Sequence, residues 1–221
     1  MKETQLLFTA PMVRAVLAGT KTQTRRLIKP RHDWTMDERD DGAPWPFFMD
    51  YVHGEPEPVE VPCPYGAPGD RLWVKETWRA EERGADAIDG VRFRADDAFV
   101  EIAPTQAAAN EWVDAYDNGK HGNKWRPSIF MPRWASRITL EVTDVRVERV
   151  QSISDADIAA EGVTEAAVRE LRVHKSAKAW TDTVGAMPRD LWRIVWSTIN
   201  GAESWGSNPW VWVLSFRRVE S

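Results

Sequence analysis

Cysteine is nearly absent from this chain of 221 residues, because Cys63 is the only one. A single cysteine cannot form an internal disulfide, which favours a reducing compartment. The sequence has no run of about 20 apolar residues, the length that a membrane span needs. Its first residues also lack the apolar core of a signal peptide. We therefore expect a cytoplasmic protein that does not enter a membrane.

Motifs for metals and cofactors are missing as well. The 4 histidines and Cys63 do not show the spacing of a zinc site, and a zinc nucleobase deaminase needs a His/Cys/Cys set. The sequence contains no phosphate-binding glycine loop, no dinucleotide fingerprint and no Gly-x-Ser-x-Gly motif. If the protein is an enzyme, we expect it to use neither a metal ion nor a cofactor.

Charge and aromatic content narrow the range of partners. The formal net charge of −5 argues against a broad basic surface for long nucleic acid and favours a small ligand or one local contact. Tryptophan is abundant, with 13 residues against 3 tyrosines, and indole rings serve as core residues or as stacking platforms for bases. The composition, 43% hydrophobic and 29% charged, is ordinary for a soluble globular protein. The length fits one domain with insertions or two small domains, and we expect one.

The most distinctive stretch, at 19–26, reads GTKTQTRR. It follows an amphipathic run at 11–18 that predicts a short helix, which Thr9 is placed to cap. Gly19 can adopt the left-handed conformation that ends a helix. The chain is therefore expected to turn sharply at Gly19, where the helix ends. Threonine occupies alternate positions after this corner, which predicts a strand.

Lys21 and Thr24 could flank one pocket at this corner. Partial burial and nearby cations, here Arg25 and Arg26, lower the pKa of a lysine, and a neutral lysine can take a proton from a hydroxyl group. A carboxylate beside Lys21 would act against this lowering. A basic loop on the surface is the alternative interpretation of the same residues.

Another candidate residue, Glu161, lies in a predicted helix at 154–161. Ser154 and Asp157 form a capping-box pattern at the start of this helix, and a glycine follows its end. The helix dipole disfavours a negative charge in the last turn by a few tenths to about 1 kcal/mol unless a cation is near. Lys21 could be that cation, and a solvated glutamate is the alternative.

The remaining pattern predicts an α+β protein with a curved, mostly antiparallel barrel. Strands are expected where apolar residues alternate, at 5–8, 70–78, 136–143 and 210–216. A shift in the apolar phase at Asp144 indicates a bulge, as in a curving sheet. Further helices are expected at 105–116, 164–172 and 188–199.

Two long segments between these elements are interpreted as insertions. The segment at 30–62 is rich in proline and acidic residues, and we expect it to be ordered but irregular. The segment at 80–127 is a second insertion, and the stretch at 173–185 is expected to be flexible. Glu76 lies at a strand end, where functional side chains are frequent, although an ordinary surface carboxylate is the alternative interpretation.

Several segments resemble the ASCH domain family of the PUA-like superfamily. The stretch at 17–26 is similar to the family's signature turn, in which Gly, Lys, Thr and a later Arg recur at these intervals. The similarity extends over roughly half of the chain, to 68–74, 153–162 and 210–219. The resemblance implies a PUA-like β-barrel and a ligand that is RNA or a modified nucleoside. Small members lack the insertions at 30–62 and 80–127, whereas larger, often phage-linked members have such insertions.

The family includes small bacterial N4-acetylcytidine amidohydrolases, and similarity to them implies roles for particular residues. Lys21, Thr24 and Glu161 match the lysine, threonine and glutamate of their proposed machinery. The implied reaction is the metal-free hydrolytic removal of an acyl group from the exocyclic N4 amine of cytosine, cytidine or a related nucleoside. The candidates for binding the substrate or stabilising the oxyanion are Arg26, which matches the family arginine, Glu76 and Trp78.

The sequence leaves both the mechanism and the function class open. Either Thr24 attacks the acyl carbonyl after giving its proton to Lys21, or Lys21 and Glu161 activate a water molecule while Thr24 only binds substrate. One alternative function is a binding module that holds RNA or a modified base on tryptophan faces without turnover. Another is a ribonuclease that uses Lys21 and Arg26.

Overall fold

The computed structural model describes residues 1–29, 31–52, 55–83, 88–118, 124–174 and 187–219. The chain divides into two compact units. The first unit comprises Met1–Gly19, Arg71–Glu141 and Arg218–Ser221, and the second comprises Thr20–Asp70 and Val142–Arg217. The architecture is α+β and rich in sheet, as the sequence predicts. Most of the stretch at 173–185 lies outside the described residues.

In the first unit, two parallel strands pair with each other, and a long third strand pairs antiparallel with one of them. β1 (Glu3–Leu7) pairs in parallel with β6 (Arg71–Lys75), so Gln5 lies opposite Trp73. The first residues of β10 (Thr139–Arg149) pair antiparallel with β6 on its other side. Alternate residues of β6 are buried, with Leu72 and Val74 at most 1% exposed, and they anchor this part of the sheet in the core.

The helix that precedes the distinctive stretch is confirmed. α1 (Ala10–Leu17) buries Pro11, Val13 and Val16. Gly19 has φ +73°, the left-handed conformation predicted from its place after the helix. Thr9 occupies the N-cap position, but its hydroxyl has no hydrogen-bond partner among the described residues, so the predicted side-chain cap is wrong.

The expectation of one continuous strand at 70–78 is wrong, because the strand is interrupted. β6 ends at Lys75, and β7 (Trp78–Arg83) begins a different sheet. The break falls at Glu76, whose buried carboxylate pairs with Arg137 at 2.8 Å. The alternating sequence therefore yields two strands, with the buried Glu76 between them.

The second sheet of the first unit lies within the insertion at 80–127, where the sequence pattern showed only a helix. Its strands β7, β8 (Ile88–Phe93) and β9 (Phe99–Glu101) are antiparallel, and α2 (Gln106–Asn118) packs against β7 and β8. Its core includes Trp78, Phe93, Trp112 and Met131. The strands were missed because their outward residues are charged: Glu81 binds both Arg79 and Arg92 at 2.6 Å.

In the second unit, β11 (Trp210–Val219) lies between β10 and β2 (Gln23–Leu27). β11 and β2 are antiparallel, with Leu214 opposite Thr24. The burial of β10 changes phase as predicted, because Thr143 and Asp144 are both exposed before Val147 is buried again. The strands of the described residues do not close into a barrel.

Three helices of the second unit match their predicted positions. They are α3 (Asp155–Ala160), α4 (Glu165–His174) and α5 (Pro188–Asn200). Ser154 caps α3, since its hydroxyl accepts from Asp157 N at 3.1 Å. α5 packs against both α3 and α4, and α3 packs against β2. None of the described helices is both long and apolar enough to cross a membrane.

The expectation of an irregular segment at 30–62 is wrong. β3 (Trp34–Glu38), β4 (Pro44–Val52) and β5 (Glu55–Glu60) form an antiparallel sheet there. In β5 proline is tolerated because this is an edge strand, where every second N–H points away from the neighbouring strand. Pro56 and Pro58, two residues apart, face the same way and need not cost a ladder hydrogen bond.

Candidate active site

The backbone around Lys21 is held by two elements of the second unit. Lys21 forms an isolated antiparallel bridge with Glu161, the residue that ends α3. The next residue, Thr22, donates its N–H to Ala160 O at 2.8 Å, and its carbonyl accepts from Phe216 N of β11 at 2.9 Å. This short segment is therefore fixed between α3 and β11 before β2 begins.

The Lys21 side chain is completely buried and surrounded by acceptors. Its Nζ donates to Glu161 Oε2 at 2.7 Å, to Glu161 O at 2.9 Å and to Gln23 O at 2.8 Å. The side chain of Lys21 is 0% exposed and that of Glu161 is 2% exposed. The predicted contact between the two residues is confirmed. A surface loop and a solvated glutamate, the alternative interpretations, are wrong for these two side chains.

Burial lowers the pKa of Lys21 below its ordinary value, because the loss of water disfavours the charged ammonium group. The carboxylate of Glu161 acts in the opposite direction, and Arg26 and Arg25 lower the pKa further by charge repulsion. The net direction is downward. The neutral amine is therefore populated at a lower pH than in an exposed lysine.

Thr24 and Arg26 extend from β2 on the face opposite to Gln23 and Arg25. Thr24 is 0% exposed, and its Oγ1 accepts a hydrogen bond from Arg26 Nη1 at 2.8 Å. Because the guanidinium is the donor in this bond, the hydroxyl proton of Thr24 can be given to another group. Lys21 Nζ binds the carbonyl of the peptide that joins Gln23 to Thr24, so the amine lies next to the backbone of Thr24.

Arg25 joins Lys21 and Glu161 to two further carboxylates. Its Nη1 contacts Glu161 Oε1 at 3.3 Å. Its Nε and Nη2 bind Glu148 of β10 at 2.9 and 2.5 Å, and Nη2 contacts Asp157 of α3 at 3.2 Å. The side chain of Arg25 is 0% exposed. The candidate site therefore contains a buried network of charges behind the Lys21–Glu161 pair.

Sequence reasoning assigned no place to Glu148 in this network and gave Arg25 no contact with Glu161. One signal was present, because Gln23 and Arg25 lie at alternate positions of a strand and share a side of it. No sequence signal brings Glu148 to them. That contact depends on the pairing of β10 and β2 with β11, which only the fold determines.

Glu76 and Trp78, the other candidate binding residues, lie in the first unit. Glu76 is 1% exposed and pairs with Arg137, which also binds Asp96 at 2.9 Å. Burial raises the pKa of Glu76 although Arg137 acts to lower it. Trp78 is 1% exposed and packs edge-on against Trp134 with ring centroids 5.8 Å apart. Glu76 is therefore not a surface carboxylate, and the roles of both residues in substrate binding stay predictions.

The side chains around Lys21 are of the kinds that enzymes use in acyl transfer. Lys21 supplies an amine of lowered pKa, Thr24 a hydroxyl and Arg26 a cationic donor. No group of three or more His, Cys, Asp or Glu side chains that could hold a metal ion occurs in the part of the chain that the structure describes. Comparisons with protein-family models, with curated proteins and with solved structures found no match to this chain.

Proposed function

We propose that this protein is an ASCH domain protein and an amidohydrolase that removes an acyl group, such as acetyl, from the N4 amine of cytosine, cytidine or a related nucleoside. In this proposal residues 1–221 make up one domain of the PUA-like type with insertions at 30–62 and 80–127, and the protein acts in the cytoplasm. The observation that carries the proposal is the buried contact of Lys21 Nζ with Glu161 Oε2 at 2.7 Å.

Lys21 is the general base in the first half of the proposed reaction. In its neutral form it takes the proton of the Thr24 hydroxyl, and the Thr24 oxygen attacks the acyl carbonyl carbon. The C–N bond breaks, the N4 amine leaves with the proton from Lys21, and the acyl group remains as an ester on Thr24. Water then hydrolyses this ester, with Lys21 taking the proton of water and returning it to Thr24.

Glu161 and Arg26 support these steps. A neutral amine keeps two N–H donors, so Glu161 can orient Lys21 in both protonation states. Arg26 Nη1 lies 2.8 Å from Thr24 Oγ1 and can stabilise negative charge that develops on the reacting oxygens. One donor of this kind commonly contributes about 3 kcal/mol to the stabilisation of the transition state.

The same residues support a second route to the same products. Lys21 and Glu161 activate a water molecule, which attacks the acyl carbonyl directly, and Thr24 binds the substrate. The two routes differ in whether an acyl ester forms on Thr24. A variant that lacks only the Thr24 hydroxyl separates them.

Access to the site requires movement of neighbouring side chains. Lys21 and Thr24 are 2% and 0% exposed, whereas Arg26 is only half-buried. In the proposed reaction the nucleoside therefore approaches Thr24 from the side of Arg26.

Incubation of the purified protein with N4-acetylcytidine, and separately with labelled RNA, tests the proposal. Liquid chromatography should show cytidine and acetate in the first reaction. Retention of the nucleoside or the RNA without turnover would indicate a binding module instead. Fragmentation of the RNA would indicate a ribonuclease.

A further inference from the structure

The guanidinium group of Arg25 makes contacts that the proposed reaction does not use. Nη1 binds Gln23 Oε1 at 2.8 Å and Glu161 Oε1 at 3.3 Å. Nε and Nη2 bind Glu148 Oε1, and Nη2 also lies 3.2 Å from Asp157 Oδ2. All three nitrogen atoms therefore have acceptors, and these acceptors fix the plane of the guanidinium group.

Glu161 lies between two cations that take different oxygen atoms. Oε2 is 2.7 Å from Lys21 Nζ, and Oε1 is 3.3 Å from Arg25 Nη1. A buried carboxylate with one cationic neighbour is free to direct both oxygens at that neighbour. Arg25 prevents this, because it holds Oε1 and shares the negative charge of Glu161 with Lys21.

The charged groups around Lys21 and Arg25 come from three elements. β2 supplies Arg25 and Arg26, α3 and its end supply Asp157 and Glu161, and β10 supplies Arg146 and Glu148. Arg146 contacts Asp157 at 3.1 Å and Glu148 at 3.5 Å, and its other partner, Asp144, is solvent-exposed. The three arginines balance the three carboxylates Glu148, Asp157 and Glu161 when Lys21 is neutral. A charged Lys21 leaves an excess positive charge.

We propose that Arg25 is a positioning residue, which holds Glu161 Oε1, directs Oε2 at Lys21 and favours the neutral, basic form of Lys21. Arg25 itself touches neither the substrate nor the reacting atoms in this assignment. The importance of the role for catalysis rests on the proposed amidohydrolase function. Its effect on the protonation of Lys21 is measurable without any turnover.

Titration of Lys21 by 13C NMR, in full-length protein labelled at lysine Cε, tests the proposal. The Lys21 resonance is identified by its loss in Lys21→Met. In Arg25→Gln the midpoint of the Lys21 titration should move upward by about one pH unit, because the charge of Glu161 then acts on Lys21 alone. An unchanged or lower midpoint would overturn the proposal.

Arg146→Gln is the matched control, because it removes one cation from the same cluster but no contact with Glu161. The midpoint of Lys21 should move by less than half as much as in Arg25→Gln. An equal movement in both variants would show that the number of charges matters and the contact with Glu161 does not, which contradicts a positioning role.

The loss of Arg25 leaves buried carboxylates with fewer partners, so circular dichroism must first show that the variant folds. The double variant Arg25→Gln/Glu148→Gln removes one charge of each sign and serves if the single variant is unfolded. A smaller upward movement is expected there, because the loss of the Glu148 charge acts in the opposite direction and Glu148 does not contact Lys21 among the described hydrogen bonds. In turnover of N4-acetylcytidine, the pH–rate profile should move with the NMR midpoint, and kcat should fall more than KM rises. If the wild-type protein shows no turnover, the proposed function fails, and the NMR result still decides the role of Arg25.

Discussion

Lys21 and Glu161 are separated by 140 residues in the sequence, and the ammonium group of the first donates to the carboxylate of the second at 2.7 Å in a buried position. A buried ion pair is weak evidence for stability, since the cost of removing two charges from water offsets much of their attraction. We propose instead a chemical role for the pair, together with its second-unit neighbours Thr24 and Arg26.

The Thr24 hydroxyl decides between the two routes. Thr24→Val keeps the shape of the side chain but removes the hydroxyl, so a covalent route predicts a loss of kcat of more than about a thousandfold. Thr22→Val is the matched control, because Thr22 is exposed and lies two residues before Thr24. The activity of this variant should stay within about twofold of wild type. Steady-state kinetics with N4-acetylcytidine measures both. If Thr24→Val keeps most of its activity, water is the attacking group.

The pH dependence of kcat/KM should report Lys21. In the proposed reaction the neutral amine is the base, so activity should rise as pH rises through the pKa of Lys21. Burial lowers this pKa, so the rise should begin below the ordinary range of lysine. Glu161→Gln removes the neighbour that raises this pKa. The rise should therefore move to lower pH, while kcat falls by about a hundredfold because Lys21 loses the charged partner that orients it. A rise at the same pH in both proteins would mean that another group titrates.

The parts of the fold that the sequence predicts correctly depend on local signals at the ends of helices. The turn at Gly19, the cap at Ser154 and the proline at the start of α5 each act within one helical turn, and all three helix boundaries were predicted to within one residue. The contact of Lys21 with Glu161 was predictable for a similar reason. A glutamate at the end of α3 is unfavourable by itself, and a distinctive cation elsewhere in the chain was the natural partner.

Non-local contacts account for what the sequence did not predict. The sheet of β3, β4 and β5 was missed because its prolines suggested a loop. Pro56 and Pro58 are acceptable because β5 is an edge strand, whereas Pro44 and Pro46 lie in the central strand β4. Glu76, at the break between β6 and β7, is paired with Arg137, which is 61 residues away. The contact of Arg25 with Glu148 spans 123 residues, and no local pattern indicates it.

In the first unit, the pair of Glu76 and Arg137 should matter for stability. Arg137→Met leaves the carboxylate of Glu76, which is 1% exposed, without its main partner, and should lower the free energy of unfolding by about 3 kcal/mol. Arg133→Met is the control, because the pair of Arg133 with Glu3 is 45% and 40% exposed and should contribute about 1 kcal/mol or less. Urea unfolding measures both. Equal effects would show that burial of Glu76 does not set the cost.

The corner before Lys21 depends on a glycine. Gly19→Ala should cost about 1 kcal/mol of stability, because φ is +73° and a side chain disfavours that conformation. An added Cβ would meet no atom within 4 Å, so the cost comes from the backbone alone. Gly206→Ala, at a position without positive φ, should change stability by less than about 0.5 kcal/mol. Thermal unfolding of the two variants checks this difference, and equal melting temperatures would contradict it.

Turnover of N4-acetylcytidine by the full-length protein tests the central claim most directly. Chromatography at several pH values should show cytidine and acetate appearing in equal amounts from the wild-type protein. Lys21→Met, folded by circular dichroism, should release neither product above the uncatalysed rate. Intact N4-acetylcytidine after prolonged incubation with the wild-type protein, or equal activity in Lys21→Met, would contradict an amidohydrolase that uses Lys21.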